Sequence, residues 1–359
     1  MKTPTSRTIE DLRKHEAIAN PVSIDALNWE LNRDGSDYKQ VLMAGPCAER
    51  FTDDSQALAR AVHFLTTAFS DTDDPVLLVR GAGQYWKPRS SPTESCALSY
   101  FGDAVNSRYG DPVQRCLKPV SVLREAASSA SETYRTLDAY RTGVYVCHEA
   151  LDMTYENAMV RSKNSKKYVT SGHMLWLGNK ATQMERCLAN LPTNIQNPIA
   201  LKLAHNADPD RAIGVMHQIR ELSASEAPLV AIVRFGVDRD FTPLETMVKL
   251  ASKRGLCVRW VCDPMHGNTR RVGGTKVRYL SEILGEIERF VTAINRAGEI
   301  PGGLHLEMGV NPIETVLEDP IQSKLGHAMR RPLVDPLLSP QQAARIWRHY
   351  SSTISLLGS

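Results

Sequence analysis

Short apolar runs alternate along this chain with longer segments whose apolar residues recur at helical spacing. Eight such runs are found, at Val41–Cys47, Val76–Ala82, Gly143–His148, Lys167–Leu177, Pro198–Leu203, Leu229–Phe235, Leu256–Cys262 and Gly303–Met308. Several are apolar at nearly every position, which is typical of strands buried on both faces of a parallel sheet. Because strands that alternate with helices indicate parallel βα units, the pattern predicts the α/β class and a closed (β/α)8 TIM barrel.

The segments between the runs carry helix signals of their own. One helix is predicted before a capping glycine, Gly298, by the apolar positions Leu280, Ile283, Leu284, Ile287, Val291 and Ile294. Another is predicted from about Pro243 to Arg254, before Gly255. Ser339-Pro340 indicates an N-cap and a first-turn proline for a closing helix.

The first forty residues contain no strand pattern. We therefore predict a short helical or loose N-terminal extension over residues 1–40 and a barrel domain over residues 41–359. The basic stretch Arg161–Lys167 predicts an exposed loop, because a run of charges is usually a solvated surface segment. We assign that stretch no function.

Composition and charge narrow the class of protein. Of the 359 residues 42% are hydrophobic and 23% charged, close to the average for globular proteins. The net charge of +3 is too small for a nucleic-acid-binding surface, but it permits a locally basic pocket for a small anion. No apolar run is long enough for a membrane span and the first residues do not resemble a signal peptide, so we expect a cytoplasmic protein. The seven scattered cysteines lack paired C-x-x-C spacing, which favours free thiols.

The predicted strands end in unusually polar sequence. The first is followed by CAER from Cys47, the second by RGAGQYWKPRS from Arg80, and the seventh by CDPMHGNT from Cys262. The eighth contains GGLHLE, which ends at Glu307. Reactive groups in a (β/α)8 barrel come from the carboxyl ends of its strands, so these strings predict an active site there.

Two of these strings, AGQYWKPRS and CDPMHGNT, are highly specific in combination. Together with GDAVN at 102–106, NPIALK at 197–202 and the segment that begins at Asp335, the chain resembles class II 3-deoxy-D-arabino-heptulosonate 7-phosphate (DAHP) synthases over residues 41 to about 345. The resemblance implies an enzyme that joins phosphoenolpyruvate to erythrose 4-phosphate and releases phosphate, in the shikimate pathway or a specialised aromatic pathway. It also implies small phosphorylated substrates, no nucleic-acid or membrane partner, and a homodimer.

A divalent metal site is implied by the same resemblance. Its ligands map to four residues, Cys47, His266, Glu307 and Asp335. Mixed sulfur, nitrogen and oxygen ligands suit Mn²⁺ or Co²⁺, with Fe²⁺ or Zn²⁺ as alternatives, and an open position would let the metal polarise the acceptor aldehyde.

Two substrate-binding sets are implied as well. The residues expected to bind the donor, phosphoenolpyruvate, are Arg80, Trp176, Lys180, Lys202 and Arg234. Those expected to hold the phosphate of the acceptor are Lys87, Arg89 and Ser90. Lys202 lies within an apolar strand, where an unpaired charge is costly, so a functional lysine is expected there. Lys202 and His266 are the expected catalytic residues, although either Lys202 or a metal-linked water could transfer the protons.

The chain departs from the family pattern at the donor site. Where the family typically has Trp-Ile-Gly-Glu-Arg-Thr-Arg, this chain has Trp-Leu-Gly-Asn-Lys-Ala-Thr from Trp176. Asn179 removes an acid, and Lys180 replaces the two-pronged guanidinium of arginine by a point charge. Two alternatives therefore stay open: a family member with another donor or acceptor, such as an amino sugar phosphate in secondary metabolism, and a non-catalytic binding or regulatory homologue.

Overall fold

Eight parallel strands close into one barrel in the computed structural model, which describes residues 17–45, 67, 75–81, 144–151, 153–309, 316–320 and 335–357. The strands in chain order are β1 (Val41–Gly45), β2 (Val76–Arg80), β3 (Tyr145–Glu149), β4 (Val160–Lys163), β5 (Lys166–Val169), β6 (Met174–Leu177), β7 (Ile199–Ala204), β8 (Leu229–Arg234), β9 (Val258–Cys262), β10 (Arg270–Val272), β11 (Thr275–Tyr279), β12 (Gly303–Glu307) and β13 (Val316–Leu317). The barrel order is β1-β12-β9-β8-β7-β6-β3-β2. The predicted (β/α)8 TIM barrel is confirmed.

Helices occupy the connections between barrel strands. In the described residues they are α1 (Pro21–Leu31), α2 (Met153–Ala158), α3 (Ala181–Asn190), α4 (Pro209–Leu222), α5 (Thr242–Lys253), α6 (Leu280–Arg296) and α7 (Pro340–Leu357), with 3-10 turns at Gly35–Asp37 and His266–Asn268. The predictions for α5, α6 and α7 are confirmed. At the start of α7 the Gln342 amide N–H donates to Ser339 Oγ (3.1 Å) while Ser339 N–H donates to Gln342 Oε1 (3.0 Å), a reciprocal cap that fixes where the helix begins.

Seven of the eight predicted runs match a barrel strand with ends that differ by two residues at most. The eighth prediction, one strand over Lys167–Leu177, is wrong, because a turn at residues 170–173 separates β5 from the barrel strand β6. The loop predicted at Arg161–Lys167 is also wrong. There β4 and β5 pair as an antiparallel hairpin whose turn residues, Asn164 and Ser165, have φ values of 50° and 63°.

The barrel interior is apolar in its lower half. Alternate strand residues point inward, and they form a buried cluster of Val41, Met43, Val76, Leu78, Tyr145, Cys147, Met174, Trp176, Ala200, Val230, Ile232 and Val261. Leu27 and Leu31 of α1 join this cluster. Arg259 donates to the carbonyl oxygens of Leu31 and Lys39 at 2.6 Å each, which anchors the α1 segment. Helix α1 therefore covers the amino end of the barrel, so the functional site belongs at the carboxyl end.

Two other expectations concern thiols and membranes. The cysteines within the described ranges, Cys147, Cys187, Cys257 and Cys262, are free thiols, as expected. No helix in the part of the chain described above is long and apolar enough to cross a membrane. The division into a 1–40 extension and a 41–359 barrel domain stays a prediction, as does the homodimer.

The turn before β6 contains a buried histidine that ties it to the neighbouring strand and to α1. His173 Nδ1 accepts from the Val146 amide at 2.9 Å, and its Nε2 lies 3.0 Å from Ser23 Oγ. Burial lowers the pKa of His173 to about 3. The folded state therefore binds this proton less readily than the unfolded chain, so this histidine lowers the free energy of unfolding as pH falls from about 6.5 towards 3.

We predict that His173→Asn reduces this acid sensitivity, because the asparagine oxygen can accept the Val146 N–H but does not titrate. At pH 7, urea unfolding should give a lower free energy of unfolding for the variant than for the parent. This gap in free energy should narrow by up to about 1.4 kcal/mol per pH unit below pH 6.5. The half-buried His217, changed to Asn, is the matched histidine control. A gap that is constant with pH would contradict the assignment.

Candidate active site

The alternation that places apolar residues inside the lower barrel places charged residues at its carboxyl end. Arg80 is two residues past Leu78 on β2, and Lys202 is two past Ala200 on β7. Each therefore points inward, in phase with the apolar layer below. Ionisable inward-facing positions in this upper layer include Arg80, Lys202, Arg234, Asp263 and Glu307. Five ionisable side chains from five strand ends thus meet in one place.

Asp263, directly after β9, is the centre of this group. Its Oδ2 lies 2.6 Å from Lys202 Nζ and 2.7 Å from His266 Nδ1. Its Oδ1 accepts from the amides of Met265 (3.1 Å) and His266 (3.2 Å). Burial alone would raise the pKa of Asp263, but the neighbouring His266 and Lys202 hold that pKa well below its usual range. Asp263 is therefore an anion that orients both side chains.

The orientation of His266 follows from its two carboxylate neighbours. Nδ1 faces Asp263, while Nε2 lies 2.9 Å from Glu307 Oε1. Burial lowers the pKa of His266, against the opposing effect of Asp263 and Glu307. A neutral imidazole has one N–H, and with it donated to Asp263 the Nε2 lone pair points at Glu307. A histidine held in this way has Nε2 available as a metal ligand.

Glu307, at the end of β12, is fully buried between two arginines. Its Oε1 lies 3.3 Å from Arg80 Nη2, and its Oε2 lies 2.8 Å from Arg278 Nη2. Arg278 comes from β11, outside the barrel, and also donates to Thr269 Oγ1 (2.9 Å) and to the carbonyl of Pro336 (2.5 Å). A buried carboxylate is stable only when it is paired, and here two guanidinium groups balance its charge.

Asp335 is held beside this pair by the same small strand. Lys276 of β11 lies 2.6 Å from Asp335 Oδ1. Burial and the nearby Glu307 would raise the pKa of Asp335, but Arg278, Lys276 and His266 lower it overall. These interactions put Asp335 in the electrostatic neighbourhood of Glu307 and His266. Of the four metal ligands expected from sequence, His266 and Glu307 are in direct contact, and Asp335 lies near them without forming a described three-residue metal-binding group.

Trp176 and His305 form the floor of the charged layer. Their rings meet edge to face with centroids 5.1 Å apart, and the Arg80 guanidinium carbon lies 5.5 Å from the Trp176 ring centroid. Both rings are buried. Trp176 therefore supports Arg80 from below. Burial, followed by Arg80 and Lys202, lowers the pKa of His305 well below its usual range, so the floor is uncharged.

Two further donor-site residues lie at the rim. Arg234, half-buried at the end of β8, donates from Nη2 to the carbonyl of His266 at 3.4 Å. Lys180 is half-buried at the N-cap of α3, next to the exposed Asn179. Four residues expected in the site, Cys47, Lys87, Arg89 and Ser90, lie outside the described residues.

Sequence reasoning missed four residues that contact the expected site. Asp263 had a signal, because it lies within CDPMHGNT, three positions before His266. Glu149 also had a signal, because it stands at the end of the barrel strand β3. Its carboxylate lies so close to Gly178 that any side chain at position 178 would collide with the carboxylate. Lys276 and Arg278 carried no signal, because β11 is not a barrel strand and their partners lie 59 and 29 residues further along the chain.

The family of this chain follows from comparison with known proteins. A sequence profile of the Class-II DAHP synthetase family matches residues 2–143 and 129–347. The chain belongs to the class II DAHP synthetase family. Members of this DAHP synthase family are enzymes that form a carbon–carbon bond, and this chain is an enzyme of that type. The resemblance inferred from the motifs is confirmed.

Individual DAHP synthase relatives align over most of the chain. It is 28% identical to the phospho-2-dehydro-3-deoxyheptonate aldolase of Streptomyces coelicolor over 371 residues, which cover 84% of this chain and 81% of that protein. The enzyme of that name from Mycolicibacterium smegmatis is 28% identical over 378 residues (85% and 81%). A probable phospho-2-dehydro-3-deoxyheptonate aldolase of Pseudomonas fluorescens is 27% identical over 353 residues (92% and 88%).

DAHP synthases of this family generally depend on a divalent metal ion. The chemistry of His266 and Glu307 fits one, because a nitrogen and an oxygen donor face each other at 2.9 Å, a separation available to two ligands whose bonds to one ion are each about 2.0–2.2 Å. Within the described ranges no three histidine, cysteine, aspartate or glutamate side chains are grouped closely enough to hold a metal. Asp335 forms a salt bridge with Lys276, and Cys47 lies outside the described ranges.

We predict that Arg278→Lys weakens binding of the divalent metal, because lysine cannot reach Glu307, Thr269 and Pro336 together. Loss of a group that orients a metal ligand typically costs about 10–100-fold in metal affinity. Titration of the metal-free protein with Mn²⁺, followed by calorimetry, should show a loss in this range. Arg348→Lys, an exposed change on α7, is the control. Equal metal affinity in Arg278→Lys and the parent would contradict the prediction.

Proposed function

We propose that this chain catalyses the metal-dependent condensation of phosphoenolpyruvate with erythrose 4-phosphate to DAHP, with release of phosphate. The observation that carries the proposal is the cluster of Lys202, Asp263, His266 and Glu307, joined by contacts of 2.6, 2.7 and 2.9 Å at the carboxyl end of the barrel. Class II relatives that bear the DAHP synthase name support the substrates. The cluster supplies charged groups of the kind that this reaction needs.

The metal ligands in this proposal are Cys47, His266, Glu307 and Asp335. Cys47 is included on the family resemblance of its sequence motif, because it lies outside the described residues. When bound, the divalent ion would polarise the aldehyde of the acceptor. We favour Mn²⁺ or Co²⁺, with Fe²⁺ or Zn²⁺ as alternatives, because mixed sulfur, nitrogen and oxygen donors suit all four ions.

The donor would be held by cations that converge on the barrel mouth. Lys202, Arg234 and Lys180 come from the ends of three neighbouring strands or the loops after them. Phosphoenolpyruvate carries a carboxylate and a phosphate on the same carbon, C2, so several cations in a confined space match its charge. Arg80 points into the same layer, where its contact with Glu307 would link the donor to the metal ligands. The acceptor phosphate is assigned to Lys87, Arg89 and Ser90.

The reaction forms one carbon–carbon bond and, at C2, replaces the carbon–oxygen bond to phosphate by one to oxygen from water. C3 of phosphoenolpyruvate attacks the aldehyde carbon, and the aldehyde oxygen takes up a proton. Water then adds at C2, a proton is lost, and inorganic phosphate leaves to give the C2 ketone. Positive charge that develops at C2 lies in a site where Asp263 and Glu307 provide fixed negative charge.

Lys202 and His266 are the proposed catalytic residues. Lys202 Nζ lies 2.6 Å from Asp263 Oδ2 and 3.4 Å from His266 Nδ1, so it can exchange a proton within a preformed hydrogen-bonded set. Asp263 pairs with the lysine ammonium and holds the His266 imidazole in one orientation. In this proposal Lys202 protonates the aldehyde oxygen, and Asp263 offsets positive charge on its two neighbours, Lys202 and His266.

Changed substrate preference is a second candidate, favoured by Asn179 and Lys180. The acid and the arginine that the family typically has here are absent, which alters the donor end of the site. Glu149 offsets part of this change, because its half-buried carboxylate lies against Gly178, next to Asn179. We propose that phosphoenolpyruvate remains the donor, because Arg80, Lys202 and Arg234 are kept.

The test is turnover by the metal-loaded protein with phosphoenolpyruvate and a panel of aldose phosphates, followed by phosphate release and product mass. We predict DAHP from erythrose 4-phosphate, and activity preserved or raised in the double variant Asn179→Glu with Lys180→Arg, since a guanidinium binds carboxylate and phosphate with two hydrogen bonds.

Lys163→Arg, on the exposed hairpin, is the matched control for the lysine change and should leave every rate constant unaltered. A parent that is inactive with erythrose 4-phosphate but active with another aldose phosphate or donor would replace the proposal by its rival. Inactivity on the whole panel would contradict both.

A further inference from the structure

One buried carboxylate near the site takes no part in the contacts described so far. Glu286 lies on α6, outside the barrel, and is 0% exposed. Its Oε1 accepts from the amides of Phe235 (3.0 Å) and Gly236 (2.8 Å), and its Oε2 accepts from Asn268 Nδ2 (2.7 Å). Burial raises the pKa of Glu286 to about 7, against these three hydrogen bonds. A carboxylate is costly to bury, so its presence here calls for an explanation.

The groups that Glu286 binds belong to two different loops of the barrel mouth. Phe235 and Gly236 follow Arg234 directly, at the end of β8. Asn268 ends the turn that begins at His266, and its Oδ1 accepts from the Val237 amide at 2.9 Å. Glu286 and Asn268 therefore form a bridge between the loop that carries Arg234 and the turn that carries His266.

The two loops touch so closely that only glycine fits at the contact. A Cβ on Gly267 would lie 2.5 Å from the Gly236 nitrogen, and one on Gly236 would lie 2.9 Å from the Gly267 oxygen. Gly236 also has φ of 102°, which other residues rarely adopt. On the site side of this contact, Arg234 Nη2 donates to the His266 carbonyl. A shift of either loop would therefore change the position of Arg234 relative to His266.

The same face of α6 holds the loop at a second point. Arg289, one turn after Glu286, donates to the carbonyl oxygens of Val237 and Arg239 at 2.7 Å each. Glu286 thus binds backbone N–H groups and Arg289 binds backbone C=O groups of one short segment. The helix determines the position of the loop through its backbone, without contact to the barrel interior.

We propose that Glu286 is a positioning residue that fixes Arg234 relative to His266, and so aligns the donor with the metal. Glu286 cannot touch substrate, because it is buried behind the two loops. It acts through the two side chains whose loops it joins. This inference rests on the proposed function, in which Arg234 binds phosphoenolpyruvate and His266 binds the metal.

Glu286→Gln is the most informative variant, because it keeps the size of the side chain and replaces one acceptor oxygen by an NH₂ donor. The amide oxygen can still accept from Phe235 and Gly236, but the NH₂ group would face the NH₂ group of Asn268. Asn268 cannot turn over without cost, since its Nδ2 also donates to the Pro264 carbonyl (2.9 Å) and its Oδ1 accepts from Val237. The bridge should open at this one contact.

We predict that Glu286→Gln raises the KM for phosphoenolpyruvate and the Kd for Mn²⁺ each by about tenfold or more, since small displacements of positioned groups have effects of this size. The KM for erythrose 4-phosphate should stay within about twofold, because its phosphate is assigned to other residues, Lys87, Arg89 and Ser90. The exposed Glu288 on the same helix, changed to Gln, is the matched control and should change none of these constants. A purely structural defect would lower the active fraction and kcat, and leave both KM values unchanged.

Two further variants keep the test decisive. Adding Asn268→Asp to Glu286→Gln restores a donor–acceptor pair between the two side chains. The KM for phosphoenolpyruvate and the Kd for Mn²⁺ should therefore rise less in the double variant than the product of the rises in Glu286→Gln and Asn268→Asp. Arg289→Gln, at an exposed position, releases the same loop without a change in the core, and should raise the KM for phosphoenolpyruvate and spare Mn²⁺ binding. If Glu286→Gln does not fold, the result for Arg289→Gln decides.

Failure of this inference is distinguishable from failure of the proposed function. A parent that makes no DAHP, yet shows Mn²⁺ binding that Glu286→Gln weakens, refutes the reaction and supports the positioning role. A parent that makes DAHP, with Glu286→Gln unchanged in the KM for phosphoenolpyruvate and in Mn²⁺ affinity, overturns the positioning role alone. A double variant whose loss equals the product of the losses in Glu286→Gln and Asn268→Asp would also overturn it.

Discussion

The pairing of buried carboxylates with buried cations at the carboxyl end of the barrel is the constraint on which the site depends. Asp263 and Glu307 are both fully buried, and neither could keep a negative charge there alone. Lys202 and His266 contact Asp263, while Arg80 and Arg278 contact Glu307. Because His266 also touches Glu307, the two groups form one connected set rather than two separate pairs.

This connected set explains why elements outside the barrel matter to its chemistry. The segment from β10 to α6 lies between two barrel strands, yet it supplies Lys276, Arg278 and Glu286. Each of the three binds a residue or loop that belongs to the site. The metal ligands and the donor-binding residues would therefore be oriented by a layer of charged side chains around them, as is usual where a carboxylate or imidazole must be held in one orientation.

Much of this could be predicted from sequence, and the reasons for the exceptions are physical. Barrel strands were predictable because residues buried on both faces are apolar at nearly every position, and the inward phase then put Arg80, Lys202 and Glu307 in one layer. The prediction of one strand over Lys167–Leu177 failed because it joined two apolar segments across Ser171 and Gly172, residues typical of turns. In that turn the buried His173 imidazole accepts from the Val146 amide. Glu286 lies on the apolar face of α6, three residues after Ile283 and four before Phe290, but a glutamate is seldom fully buried. Only the tertiary structure shows the backbone amides that it binds there.

The central claim is that His266 and Glu307 share one divalent ion, together with Cys47 and Asp335. Anomalous diffraction from crystals of the Mn²⁺-loaded protein, measured on both sides of the manganese absorption edge, tests it most directly. The account predicts one strong peak bonded to His266 Nε2 and to a carboxylate oxygen of Glu307, with the Cys47 sulfur and a carboxylate oxygen of Asp335 completing the ligand set. A strong peak at any other place, with His266 Nε2 and Glu307 still in direct contact, would contradict it.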